Sequence, residues 1–308
     1  MVPHNDPTFM VRRWPGAGGS VSRVLVLADE QKPPVGAALP EVVAFLEGHG
    51  VAVQSQHDVR RLTRHEVRGL GGPPPDLVVV LGGDGSVLTA VQLFEDTPIP
   101  TIGINFGRVG FLASVEATRW REGLLEVLQG KGLVEPRMRL SARVERANGD
   151  AAASWVALND VVLSRGASPS MIAVRLFDGP ARVADYRADG LIFATPSGST
   201  AYSLAAGGPI LAPSMAAVVV TPISAHALSH RPLVMGAAHE LRAVLTQAAE
   251  PATVVVDGRE GFQVHEGDQL VVERGPEPYP LLTLPALDPW RRLRDRLGWR
   301  GTIEASDP

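Results

Sequence analysis

Apolar positions in this chain follow two different rhythms. Arg23–Ala28 is a run for a buried strand, and in residues 37–47 the spacing of Leu39, Val42, Val43 and Leu46 marks one helix face that ends at Gly48 and Gly50. A strand at 51–53, a linker closing on Pro73-Pro74-Pro75, the β-branched run Leu77-Val78-Val79-Val80-Leu81, a helix from about Gly85, a strand at 101–104 and a helix over 117–128 continue the alternation. This pattern predicts a Rossmann-like α/β domain over 21–135, preceded by a loose tail at 1–20.

Beyond Glu135 the rhythm shortens. Hairpin signals at Asn148-Gly149, Asp178-Gly179 and Asp257-Gly258 break runs at 155–163, 171–177, 191–194, 218–221, 253–256 and 269–273, all read as strands. One helical island at 199–206 is closed by Gly207-Gly208-Pro209. The prediction is a β-rich, two-sheet sandwich-like domain over 136–280. Trp290, Leu293 and Leu297 then recur at helical spacing among five arginines between Arg291 and Arg300, so segment 281–308 is expected to carry a terminal helix that returns to the first domain.

Composition narrows the possibilities. With 308 residues, 45% hydrophobic and 20% charged, the chain can fill two cores. No apolar run approaches the roughly 18 residues of a membrane span and no secretory leader is visible, so no membrane partner is expected. The absence of cysteine excludes disulfides and thiolate chemistry and fits a cytoplasmic protein. A net charge of −4 without a basic block argues against nucleic acid, so an anionic ligand must meet local arginines.

The densest chemistry follows the Leu77 run, in Gly82-Gly83-Asp84-Gly85-Ser86. Glycines at the carboxyl end of a buried parallel strand allow a sharp turn and a close approach of bare N–H groups to phosphate. An acid among those amides fits a base for a hydroxyl being phosphorylated, although a simple chain reversal uses the same residues. Between Asp189 and Pro209 a strand enters Pro196-Ser197-Gly198-Ser199-Thr200, where Ser199 or Thr200 is expected to cap a helix facing a phosphate or ribose, or merely to connect strand and helix. Asn159-Asp160 places a polar pair in an apolar strand, and such a pair needs partners. Arg108 follows a strand and is a candidate phosphate contact. His226 and His230 are four apart without a third ligand, so no resident metal is expected, and no dinucleotide fingerprint, Walker A loop or nucleophile elbow occurs.

Taken together, the Gly-Gly-Asp-Gly loop, the Asn-acid pair, the Thr195-to-Ser203 segment and the following Gly-Gly-Pro resemble the NAD kinase family from about Arg23 to Trp299. The loop alone is also similar to that of phosphofructokinases and of diacylglycerol or sphingosine kinases; the Asp189–Pro209 segment discriminates. The resemblance implies an ATP- or polyphosphate-dependent phosphorylation of the adenosine-ribose 2′-hydroxyl of NAD, with Mg²⁺ bound with the phosphate donor. It further implies a substrate crevice between the domains and a homodimer or homotetramer. It makes Asp84 the proton acceptor, sets Gly85 beside the nucleotide, and gives NAD contacts to Asn159, Asp160, Arg187, Asp189, Thr200, Ala201, Tyr202, Ser203, Leu204 and Ala205. Three positions depart from the family pattern: Asp160 where Glu is usual, Arg259 where Gln is common, with charge to offer a phosphate, and a small Ser170. The alternatives are a lipid or sugar kinase sharing the loop, and a non-catalytic NAD-binding module.

Overall fold

The computed structural model describes residues 7–14, 20–107, 110–167, 169–227, 229–259, 261–285 and 289–299. Two compact units divide the chain: Val11–Glu135 with the chain from Pro280 onward, and Pro136–Tyr279 with the N-terminal segment up to Met10.

The first unit runs β1 (Arg12–Trp14), β2 (Arg23–Ala28), α1 (Pro33–Gly48), β3 (Ala52–Gln56), α2 (Arg64–Arg68), β4 (Leu77–Gly82), α3 (Asp84–Leu93), β5 (Thr101–Asn105), β6 (Val115–Glu116), α4 (Trp120–Leu128) and β7 (Gly132–Arg137). Strands β3, β2, β4 and β5 lie side by side and parallel. Leu77 to Leu81 are wholly buried, each contributing roughly 1.5–3 kcal/mol of apolar burial. Helices on a parallel sheet require this, since both faces are covered and the strand reads as continuous rather than alternating. Sequential β2 and β3 extend one way and β4 and β5 the other, so the strand order reverses between β2 and β4. Open α/β sheets bind ligands beyond the carboxyl ends of strands at such a reversal.

The second unit carries β8 (Leu140–Glu145), β9 (Ala151–Ala157), β10 (Asp160–Ser164), β11 (Ile172–Asp178), β12 (Ala181–Ala188), β13 (Gly190–Ala194), α5 (Tyr202–Ala205), β14 (Ala217–Ile223), β15 (Leu233–Gly236), β16 (Leu241–Gln247), β17 (Ala252–Val256), β18 (Phe262–Val264) and β19 (Gln269–Arg274). They form two six-stranded sheets, ordered β15-β14-β13-β10-β17-β18 and β12-β11-β16-β19-β8-β9. The core between them takes Val161, Leu163, Phe193 and Val220 from one sheet and Leu140, Val144, Leu176 and Leu245 from the other. The first sheet also buries its outer face, through Val162, Ile192, Ala194 and Val219 against Leu211. That is why its strands read as unbroken apolar runs. All three hairpin signals sit at strand junctions, with Gly149, Gly179 and Gly258 at positive φ. β20 (Tyr279–Thr283) then pairs in parallel with β5, and α6 (Pro289–Leu297) is the expected terminal helix.

The structure corrects three expectations. Residues 7–14 are not a loose tail: Phe9 is 2% exposed in the sandwich core under Arg274, and β1 pairs antiparallel with β7. The run 155–163 is two strands rather than one, because the chain leaves one sheet after Ala157 and enters the other at Asp160. The island 199–206 is a 3₁₀ turn, Gly198–Thr200, and a short helix, α5, separated by Ala201 at φ −105°, ψ −125°.

Candidate active site

The first cluster lies where β2, β4 and β5 end. Gly82, Gly83 and Gly85 all have negative or extended φ, so the loop turns without the left-handed conformations that glycine permits. Glycine is needed here for closeness: a Cβ on Gly82 would stand 2.3 Å from Ser86 Oγ. The Lys32 Nζ lies 2.8 Å from where a Cβ on Gly83 would be and 3.7 Å from that point on Gly107, so the ammonium covers two bare stretches of backbone. Arg60 Nη2 stands 3.7 Å from the corresponding point on Gly85. Its Nε donates to Asp29 Oδ2 (3.1 Å), which also accepts from Ser86 Oγ (2.8 Å), while Asp29 Oδ1 is buried without a partner. Lys32, half-buried, forms no side-chain hydrogen bond or ion pair with the described residues. A desolvated cation without a counter-charge is costly, and an anionic ligand would offset that cost.

Asp84 opens α3, which is favourable for a negative charge. Its Oδ2 accepts from Phe111 N–H (2.7 Å), and its Oδ1 from Leu112 N–H (3.0 Å) and Ala113 N–H (3.1 Å). A carboxylate offers about four acceptor directions, so one remains. A Cβ on Gly110 would lie 2.0 Å from Asp84 Oδ1, so the absence of a side chain there lets the 110–113 segment close on the carboxylate. Arg108 lies outside the described residues.

In the β-rich unit, Leu158 and Asn159 carry the chain between the sheets. Their backbone is clamped from three directions. Asp257 accepts from Leu158 N–H (2.8 Å, Oδ2), Asn159 N–H (2.8 Å, Oδ1) and Asp160 N–H (3.0 Å, Oδ1). Thr195 donates its hydroxyl to the Leu158 carbonyl (2.5 Å) and its N–H to the Asn159 carbonyl (2.8 Å). Gly198 packs so close that a Cβ would sit 1.9 Å from the Asn159 oxygen. The side chains are left with open valences: Asn159 Oδ1 is buried without a partner, and the Asp160 carboxyl, 6% exposed, forms no hydrogen bond with the described residues.

Neither Ser199 nor Thr200 caps a helix. The Ser199 hydroxyl donates to the Pro196 carbonyl and accepts from Leu211 N–H, and Thr200 Oγ1 donates to the Ser197 carbonyl; the turn is capped by Thr195 Oγ1, which accepts from Gly198 N–H. Ser203 is buried against Thr221 at 2.8 Å. Thr200, Ala201 and Leu204 are half-buried, and Ala205 and Tyr202 are exposed, Tyr202 by 46%. Arg187 and Asp189 do not join this group. Asp160 pairs with Ala194 at one end of β13, and Ser164 with Gly190 at the other. Asp189, held by Arg165 at 3.0 Å and five residues before Ala194, therefore lies about 16 Å away along a strand rising about 3.3 Å per residue. Arg187 lines a pocket of about 430 Å³ with Ser170, Met171, Gln247 and Glu266. Arg259, exposed, follows the Asp257 turn and draws on that carboxylate electrostatically.

Burial pushes the Asp160 carboxyl up to about 7, and the neighbouring Asp257 charge pushes the same way. Burial raises Asp257 as well, against the smaller lowering pull of its three N–H donors and of Arg259. The folded chain thus holds a proton that the unfolded chain releases from about pH 4 upward, and this group removes stability as pH rises from 4 to 7. Asp160→Asn is expected to abolish that slope. Thermal melts across pH should show the variant matching the wild type near pH 4 and exceeding it near pH 8, by up to about 4 kcal/mol. Identical pH profiles would refute the raised carboxyl.

Comparison with known proteins agrees with this architecture. Residues 40–132 match the ATP-NAD kinase N-terminal domain and residues 158–284 the ATP-NAD kinase C-terminal domain. The NAD kinase of Nitrosomonas europaea is 35% identical over 292 residues, covering 91% of this chain and 96% of that one; the NAD kinase of Gemmatimonas aurantiaca is 40% identical over 228 residues, 74% of this chain and 79% of that one. The chain belongs to the NAD kinase family. Its fold is shared with yeast NADH kinase complexed with NADH (TM-score 0.82, 24% identity, 94% of this chain and 91% of that one). An NAD kinase from Archaeoglobus fulgidus in complex with ATP superimposes with a TM-score of 0.72 at 25% identity, covering 91% of this chain and all of that one.

Proposed function

We propose that this protein phosphorylates the 2′-hydroxyl of the adenosine ribose of NAD with ATP, giving NADP and ADP. The observation that carries this reading is that the buried Asn159 Oδ1 and the buried carboxyl of its sequence neighbour Asp160 have no hydrogen-bond partner among the described residues. Buried acceptors demand donors, and ribose hydroxyls and an adenine amino group supply them. Tyr202 offers an exposed aromatic face to a base.

Asp84 accepts the proton of the 2′-hydroxyl through its remaining lone pair as that oxygen bonds to the γ-phosphorus. The bond from γ-phosphorus to the β,γ-bridging oxygen breaks, and ADP leaves with the electron pair. Lys32 and Arg60 hold the donor's phosphates over the bare backbone of Gly83, Gly85 and Gly107. Mg²⁺ bound with the triphosphate would neutralise charge on the transferring group. A cytoplasmic homo-oligomer completes the reading. No helix among the described residues is long and apolar enough to cross a membrane.

Production of NADP from NAD and ATP, run beside diacylglycerol and fructose 6-phosphate as acceptors, tests this function; phosphorylation of either alternative in place of NAD would refute it. Lys32→Met should raise the KM for ATP about tenfold, the scale of a charge-assisted hydrogen bond, with the KM for NAD within twofold. A shift confined to the KM for NAD would move Lys32 out of the donor site.

A further inference from the structure

We infer that Asp257 is a positioning residue, which presents Asn159 and Asp160 to the dinucleotide by holding their backbone N–H groups. Three observations carry this. Its carboxylate is the shared acceptor of three consecutive amides, 97 to 99 residues away in sequence. These amides lie where the chain passes between sheets, after the ladder of β9 has ended and as that of β10 begins, so Leu158 and Asn159 lack strand partners for their N–H groups. Asp257 itself takes φ +48° beside Gly258 at φ +73°, the left-handed pair that an Asp-Gly hairpin turn requires, and this turn delivers its carboxylate to the bend.

Geometry separates this task from ligand contact. Both Asp257 oxygens are taken by the amides, and its own N–H donates back to the Asp160 carbonyl at 3.0 Å. Asp257 therefore closes a two-way clasp with Asp160, while the side chains of Asn159 and Asp160 keep their acceptors open. Sequence alone identifies the Asp257-Gly258 turn but not the clasp.

The inference rests on the reading that Asn159 and Asp160 hold NAD, and its test keeps the two apart. Asp257→Gly retains the left-handed backbone and removes all three bonds; Asp257→Asn retains the backbone and one acceptor oxygen. Each is combined with the double variant Asn159→Ala/Asp160→Ala in the full-length chain, with NAD affinity measured by calorimetry and the KM for ATP by kinetics. The expected result is a loss of NAD affinity of at least tenfold for Asp257→Gly and a smaller loss for Asp257→Asn. Neither should change the KM for ATP by more than twofold, and in the double-alanine chain Asp257→Gly should add less than twofold. Unchanged NAD affinity in Asp257→Gly would overturn the inference, as would an equal loss in the wild-type and double-alanine chains. If Asp257→Gly does not fold, the same cycle on Asp257→Asn decides by the same non-additivity. If the double-alanine chain binds NAD normally, the reading of Asn159 and Asp160 fails instead.

Discussion

Asp84→Asn is expected to lower kcat for NADP formation by about 10² to 10⁴, the usual worth of a positioned general base. The amide keeps the size of the side chain but cannot take the proton. It also cannot satisfy three backbone donors. Wherever its NH₂ replaces an oxygen it faces Phe111 N–H, or the Leu112 and Ala113 N–H pair, and a buried donor left without an acceptor costs about 1–3 kcal/mol. The variant should therefore melt at a lower temperature as well as turn over slowly. Assays well below its melting temperature separate the effects: the kcat loss should persist there with the KM for NAD within a few-fold of wild type. A folded variant retaining more than about a tenth of wild-type kcat would remove Asp84 from the proton transfer.

Gly198→Ala should be the most disruptive single methyl in the chain's β-rich unit. The new carbon would stand 1.9 Å from the Asn159 carbonyl oxygen and 2.4 Å from its carbon, both backbone atoms. Neither can retreat without breaking the Thr195 and Asp257 bonds that clamp this bend. Overpacking typically costs about 1–3 kcal/mol, and with backbone on the opposing side the upper end or beyond is expected, together with weakened NAD binding. Gly36→Ala is the control: in α1, with nothing within 4 Å of its new methyl, it should stabilise by up to about 1 kcal/mol. Denaturant unfolding of both variants checks this, and equal midpoints would contradict it.

The legible parts of the sequence were those governed by local chemistry. The run Leu77 to Leu81 announced a strand buried on both faces, and its glycines announced the loop beyond it. Asn148-Gly149, Asp178-Gly179 and Asp257-Gly258 announced three turns, because left-handed backbone selects those residue types locally. What remained hidden depends on long-range placement. Lys32 and Arg60 are ordinary surface cations until the parallel order of β2 and β4 brings the carboxyl ends of these strands together beside them. Asp257 reads as a turn residue, since its three amide partners are almost a hundred residues away. The change of sheet showed in the sequence only as the polar pair Asn159-Asp160, which reads as an interruption of one strand because Ala157-Leu158 and Val161-Val162 on either side of it are apolar. Ser199 and Thr200 have the right chemistry to cap, yet Thr195, on the preceding strand's exit, takes that place.

The position of the transferred phosphate tests the central claim most directly. Purified protein incubated with NAD and magnesium ATP should yield a dinucleotide whose new phosphorus signal, by ³¹P NMR with proton correlation, couples to the 2′ carbon-bound hydrogen of the adenosine ribose. A phosphate on the 3′-hydroxyl, on the nicotinamide ribose, or on no dinucleotide at all would contradict it.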